Sequence, residues 1–291
     1  MHKPSIFYII LAGFLWGSAV IFSKVLGGFG FTPLQMTAMR NAVAALALFI
    51  YIILTNPKQL KASIKEIAIF LISGVCILLT GTFYYTAMEM TSPSTAVVLM
   101  YIAPILVMGV SVMFMGERFN RLKGLAVAFA FIGCGLVTGI IGGVKFQALG
   151  IFVGVLSGIA YASYNICAKI EMKRGNNPVT ASFYCFLGAA VIGILLCNPI
   201  NLCGVVSQNF PEALPYIFAQ GLFTGAIPYF LYTLASKKLP AGVASAMGTT
   251  EPMSATLISV ILYNEKLGIQ GIIGIILILG AVVLLSKNKD E

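Results

Sequence analysis

Residues 84–117, YYTAMEMTSPSTAVVLMYIAPILVMGVSVMFMGE, lie over residues 232–265, YTLASKKLPAGVASAMGTTEPMSATLISVILYNE, at an offset of 148. Seven of these 34 positions are identical: Tyr84 with Tyr232, Ala87 with Ala235, Ala96 with Ala244, Pro104 with Pro252, Ser111 with Ser259, Val112 with Val260 and Glu117 with Glu265. Apolar composition alone produces some matches, but the order persists towards the N-terminus. At an offset of 145, Gly13 meets Gly158, Ser18 meets Ser163, Lys24 meets Lys169 and Pro33 meets Pro178. Agreement kept in order at a near-constant spacing marks a chain built by duplication.

Both copies are membrane sequence. Of 291 residues 59% are hydrophobic and 9% charged, against about 25% charged in an average soluble domain, and mean hydropathy is +0.98. Charged or Pro/Gly-rich breaks leave ten apolar segments near 5–26, 32–54, 66–88, 94–115, 122–141, 148–171, 178–198, 214–235, 241–263 and 268–286. Each approaches the roughly 20 residues that a spanning helix needs. The first has a basic start but no small-residue cleavage pattern, so it reads as a retained span. The stretch 199–213 reads as a loop.

Five spans per copy is an odd number, so the second copy enters the bilayer from the side opposite to the first. The fold predicted is an all-α membrane protein of ten transmembrane helices in two inverted five-helix repeats, both termini cytoplasmic. The repeats divide as 1–141 and 148–291, with a linker at 142–147. Charge placement agrees: thirteen basic residues fall on the side of the N-terminus and two, Lys145 and Lys266, on the other, the bias that orients membrane proteins positive-inside.

Composition excludes other classes. The net charge of +9 sits in short clusters between apolar runs, which is a topology signal and no footprint for nucleic acid. The six cysteines form no C-x-x-C and read as small hydrophobes, with only Cys197 and Cys203 near enough in sequence to pair. No phosphate-binding loop is present, and one histidine, His2, builds neither a metal site nor a Ser-His-Asp triad. An enzyme is therefore not expected, nor a cofactor or metal; any coupling comes from a gradient.

Ionisable groups inside spans cost roughly 2.5–3.5 kcal/mol each on insertion scales and are functional candidates. Glu251, midway along the ninth span and followed by Pro252, aligns with Ala103, so duplication does not explain it. It suits a substrate ammonium or a coupling proton, or else a structural pair with a base. Arg40 suits a substrate carboxylate, an acidic partner or an interfacial snorkel; Lys24 and Lys169 near span ends also suit snorkelling. These three are the charge-pair candidates. Glu117 and Glu265 open spans five and ten, where an acid caps a helix N-terminus.

Tyr161, Tyr164, Asn165 and Lys169 fall at i, i+3, i+4 and i+8, a polar face that should not meet lipid. Trp16 aligns with Tyr161, so helices one and six are expected to line a shared cavity extended by Tyr84, Tyr101, Tyr229 and Tyr232. Substrate-binding candidates are thus Trp16, Tyr84, Tyr101, Tyr161, Asn165, Tyr232 and Glu251. Stripes at Gly13/Gly17, Gly150/Gly154/Gly158 and Gly221/Gly225 permit close helix contact.

Leu15-Trp16-Gly17-Ser18 running to Lys24, Arg40 early in span two, and Gly116-Glu117-Arg118 after a Pro104-centred span resemble the EamA-type transporters of the drug/metabolite transporter superfamily. The second copy repeats the pattern through Pro252 and Asn264-Glu265-Lys266, with Asn264 in place of the usual Gly. That resemblance implies a 5+5 fold exporting small metabolites, often amino acids, across a prokaryotic plasma (inner) membrane. The partners expected are such a metabolite, the bilayer and no nucleic acid. Proton coupling against uncoupled facilitation, and monomer against homodimer, stay open, as do lipid-handling and receptor roles.

Overall fold

A computed structural model describes residues 3–91, 93–137, 147–263 and 268–287. Lys145, Asn264, Glu265, Lys266 and Lys289 lie outside them, as does most of the 142–147 linker. The described residues fold into α-helices and short helical turns: α1 Lys3–Gly17, α2 Ala19–Gly28, α3 Pro33–Thr55, α4 Ile64–Met90, α5 Pro93–Met100, α6 Ala103–Phe114, α7 Arg121–Val137, α8 Ala148–Lys173, α9 Pro178–Leu196, α10 Pro199–Gln208, α11 Leu214–Gln220, α12 Ile227–Ser236, α13 Ala241–Met247, α14 Thr250–Tyr263 and α15 Ile269–Lys287. Among the described residues seven stretches are long and apolar enough to cross a bilayer, and Ile269–Leu285 is a shorter apolar helix.

Helix starts follow local chemistry. Thr32 accepts from the Gln35 amide while Gln35 reaches back to the Thr32 amide, with Pro33 in the first turn; Ser63 and Glu66 repeat this reciprocal box at α4. Asn177 and Asn198 cap α9 and α10 ahead of Pro178 and Pro199. The stretch 199–213, read as a loop, is thus helical through Gln208. Its low hydropathy hid a helix too short to span.

Three spans that read as continuous are interrupted, the first at Ser18 between α1 and α2. The fourth breaks at Tyr101-Ile102 between α5 and α6, the ninth at Gly248-Thr249 between α13 and α14. Pro104 and Pro252 follow these breaks, where their missing N–H groups cost least. The eighth span keeps its length through a π-helical turn, Gly221–Ala226, joining α11 to α12.

Packing obeys the sequence repeat, which equates α1–α2 with α8, α3 with α9, α4 with α11–α12, α5–α6 with α13–α14, and α7 with α15. Helix α4 lies along α8, and α1 along α12. Likewise α4 meets α9 as the π turn meets α3, and α5–α6 meets α8 as α14 meets α1. The pairs α3/α9 and α7/α15 join equivalents directly. Exchanging the halves therefore maps each of these contacts onto another or onto itself, as a twofold relation requires.

All three glycine stripes lie on seams between halves. A Cβ on Gly13 or Gly17 would meet Thr250 or Ser254 of α14; on Gly154 or Gly158, Leu99 and Ile102; on Gly221, Val43 of α3. Bare backbone lets the helices approach within hydrogen-bond range, and the Ser254 hydroxyl lies 3.0 Å from the Gly13 carbonyl. Outward, Leu54, Phe114, Leu195 and Ile200 are exposed, while Arg40, Asn41, Asn165, Lys169, Glu171, Gln220 and Glu251 are buried inside. This apolar-out, polar-in distribution fits a surface solvated by lipid.

Candidate functional site

Where the interrupted fourth and ninth spans face each other, the break of one touches the break of the other. The Tyr101 hydroxyl lies 2.8 Å from the Gly248 carbonyl oxygen and 2.9 Å from Glu251 Oε2. Glu251 sits in the first turn of α14, where the half-helix dipole favours an acid. A tyrosine has one proton for these two acceptors. With Glu251 ionised, Tyr101 donates to the carboxylate; with Glu251 protonated, the acid donates to Tyr101 and Tyr101 to Gly248. One geometry accommodates both protonation states.

Glu251 opens onto a cavity whose other walls include Trp16, Arg40, Thr80, Tyr84, Tyr161, Thr224 and Tyr229. Trp16 is its aromatic hub, with ring centroids 5.0 Å from Tyr229, 5.8 Å from Tyr232 and 6.2 Å from Tyr161. Arg40 is 6% exposed. Its guanidinium stands 5.9 Å from the Tyr229 ring centroid, a cation–π distance, and donates to Asn41 Oδ1 in two long 3.4 Å bonds. Arg40 and Glu251 share the cavity without pairing. A lining with one cation, one acid and aromatic rings between can hold a molecule carrying both charges.

Two buried polar atoms on the cavity wall, Trp16 Nε1 and Tyr161 Oη, have no hydrogen-bond partner among the described residues. Unmet groups cost about 1–3 kcal/mol each, so these two reserve bonding capacity at the cavity.

The other candidates divide. Tyr101 stands behind Glu251; Asn165 Nδ2 lies 3.3 Å from Ser245 Oγ; the Tyr164 and Thr233 hydroxyls are 3.3 Å apart. Tyr232 is fully buried beside Trp16 and Tyr164. Lys169 Nζ donates to Ser236 O at 3.0 Å and to Leu239 O, binding α8 to the turn after α12, whereas Lys24 is exposed. Glu117 caps a helix, but not its own: Oε1 accepts from the Ala241 amide of α13 at 2.6 Å, while Asn120 Oδ1 accepts from the Lys123 amide of α7 at 2.9 Å. Cys197 and Cys203 are free thiols.

Sequence reasoning missed Thr80, Tyr85 and Thr224 of the lining, and also Glu171. That acid is 2% exposed and its carboxylate accepts from Ser73 of α4 across the seam. Beside Lys173 and Arg174 it resembles a boundary charge; the i, i+4 step to Cys167 was the signal that it turns inward.

Residues 3–139 and 148–287 each match the EamA-like transporter family. The chain belongs to that family. It is thereby a member of the drug/metabolite transporter superfamily, with the family domain present twice. It is similar to the "Uncharacterized transporter YwfM" of Bacillus subtilis, 22% identical over 98% of this chain and 94% of the relative. An "Uncharacterized transporter" of Archaeoglobus fulgidus is 27% identical over 95% and 94%. A solved crystal structure covering 98% of the chain and 96% of its own superposes with a TM-score of 0.82 at 16% identity, which is a likeness of fold. This EamA-family chain is a multi-pass membrane transporter whose partners are a small molecule and the bilayer.

Proposed function

We propose that the chain is a secondary transporter, and no enzyme, moving a small amino-acid-like metabolite outward across a prokaryotic plasma membrane. Its ten spans form two inverted repeats, 1–141 and 148–291, with both termini cytoplasmic, that rock about the cavity in alternating access. The observation that carries this reading is the buried, unpaired Arg40 and Glu251 sharing one aromatic cavity at the facing breaks of spans four and nine. Arg40 takes the substrate carboxylate. Glu251 takes its ammonium group or a proton, and the Tyr101 relay turns from Gly248 O to the carboxylate when that proton leaves into the cavity, Gly248 O keeping the Glu251 amide at 3.0 Å.

The test is counterflow in proteoliposomes against radiolabelled amino acids, other zwitterions, organic anions and organic cations. Zwitterions should exchange, and an imposed pH gradient should drive their accumulation. Exchange confined to cations would sink the role of Arg40. Exchange with no response to the gradient would leave an uncoupled facilitator.

A further inference from the structure

The two ends of the bundle differ, although the sequence repeat makes them equivalent. One end carries Lys58, Lys61, Lys173, Arg174, Lys237 and Lys238 and is called here the basic end. Repeat partners have opposite fates at the two ends. Tyr84, towards the far end of α4, lines the cavity, while its equivalent Tyr232, towards the basic end of α12, is fully buried away from it. Lys24 near the far end is exposed, while its equivalent Lys169 near the basic end is buried. The basic end is closed and the cavity belongs to the far half.

What holds the basic end shut is a short loop of the first half. Lys173 Nζ of α8 donates to Met115 O at 2.9 Å, and two residues later Glu117 accepts from the Ala241 amide of α13. Gly116 between them has a φ of +71°, a left-handed turn that aims Glu117 across the seam. The turn receiving it is itself fixed by Lys169, through Ser236 and Leu239. Glu117 therefore clasps a prepared helix start on the opposite half, and α13 leads directly to the break that carries Glu251.

The geometry points to Glu117 as a latch that bolts the basic end while the cavity faces the far side, and that must release before the cavity turns over. The inference rests on the alternating-access reading above.

The test uses the full-length protein in proteoliposomes, with N-ethylmaleimide reporting on a thiol introduced at either of two repeat-equivalent buried positions, Ala87→Cys near the far end and Ala235→Cys near the basic end. Labelling is counted above that of the parent chain. Glu117→Ala removes a hydrogen bond to a charged acceptor, so the conformer ratio should shift about tenfold. Labelling of Ala235→Cys should rise and that of Ala87→Cys fall. If Glu117→Ala is not recovered folded, Lys173→Ala, which opens the neighbouring clasp on Met115, is read identically. Equal movement of both reporters, or none, overturns the latch. Counterflow by the unmutated protein separates the two ideas: transport with unmoved reporters defeats the latch alone, and reciprocal reporters without transport defeat the transport reading alone.

Discussion

Glu251→Gln separates a coupling acid from a structural one, and the structure sets the size of each effect. Glutamine keeps the shape and offers an N–H donor where protonated glutamate offers O–H. The chain from residue 251 to Tyr101 Oη to Gly248 O therefore stays intact at its present 2.9 and 2.8 Å. Stability should change by less than about 1 kcal/mol, since no buried group loses its partner. Arg40 is not paired with Glu251, so no buried ion pair is broken, a loss that costs about 3–5 kcal/mol where it occurs. Tyr101→Phe is the contrasting change. It strips the hydroxyl donor from Glu251 Oε2, at about 1–3 kcal/mol for an unmet acceptor, while Gly248 O keeps the Glu251 amide at 3.0 Å. Thermal unfolding in detergent reads these differences, and proteoliposomes read the transport. Glu251→Gln should keep substrate counterflow and lose accumulation driven by a pH gradient. A Gln variant that accumulates substrate like the parent, or a Tyr101→Phe variant as stable as the parent, refutes the relay.

Arg40→Ala should weaken binding by roughly 10–100-fold, the worth of a charge-assisted hydrogen bond, while Arg40→Lys restores only part because an ammonium lacks the planar fork; counterflow competition measures both. Gly158→Ala places a Cβ 2.9 Å from Leu99 O and 3.1 Å from Met100 O, so overpacking should cost about 1–3 kcal/mol in thermal unfolding, whereas Gly27→Ala, with nothing within 4 Å, should be neutral. Trp16→Ala empties a buried hub touching three tyrosine rings and should cost about 3–5 kcal/mol, so Trp16→Phe, which keeps most of the packing, is the variant to use for binding. Cysteines introduced at 61 and 145 should label from opposite faces of right-side-out vesicles; labelling from one face contradicts the inverted repeat.

Much was legible in the chain because lipid imposes a simple rule. A segment must be apolar and long to cross, so composition and breaks located the spans, and basic clusters between them predicted which side each loop takes. The duplication was readable because matching residues kept their order in both copies, and Trp16 and Tyr161, the equivalents expected to share a cavity, both line it. Trp16, Tyr84, Tyr161, Arg40 and Glu251 stood out as polar or aromatic residues where lipid tolerates neither cheaply, and the fold gathers them at one cavity.

Tertiary structure alone decided the rest. Whether Arg40 met Glu251 or stood apart from it depends on angles between helices from different halves, which no spacing along one chain encodes. Pro104 and Pro252 marked the weak points of two spans, yet that the two breaks meet through Tyr101 and Gly248 follows only from closing the seam. Glu117 reads in sequence as a cap for the helix it precedes; in space a nearer N–H belongs to α13, and a carboxylate binds the donor that packing delivers. Lys24 and Lys169 are the same residue to the repeat, and only the folded state, by closing one end of the bundle over the other, makes one exposed and the other buried.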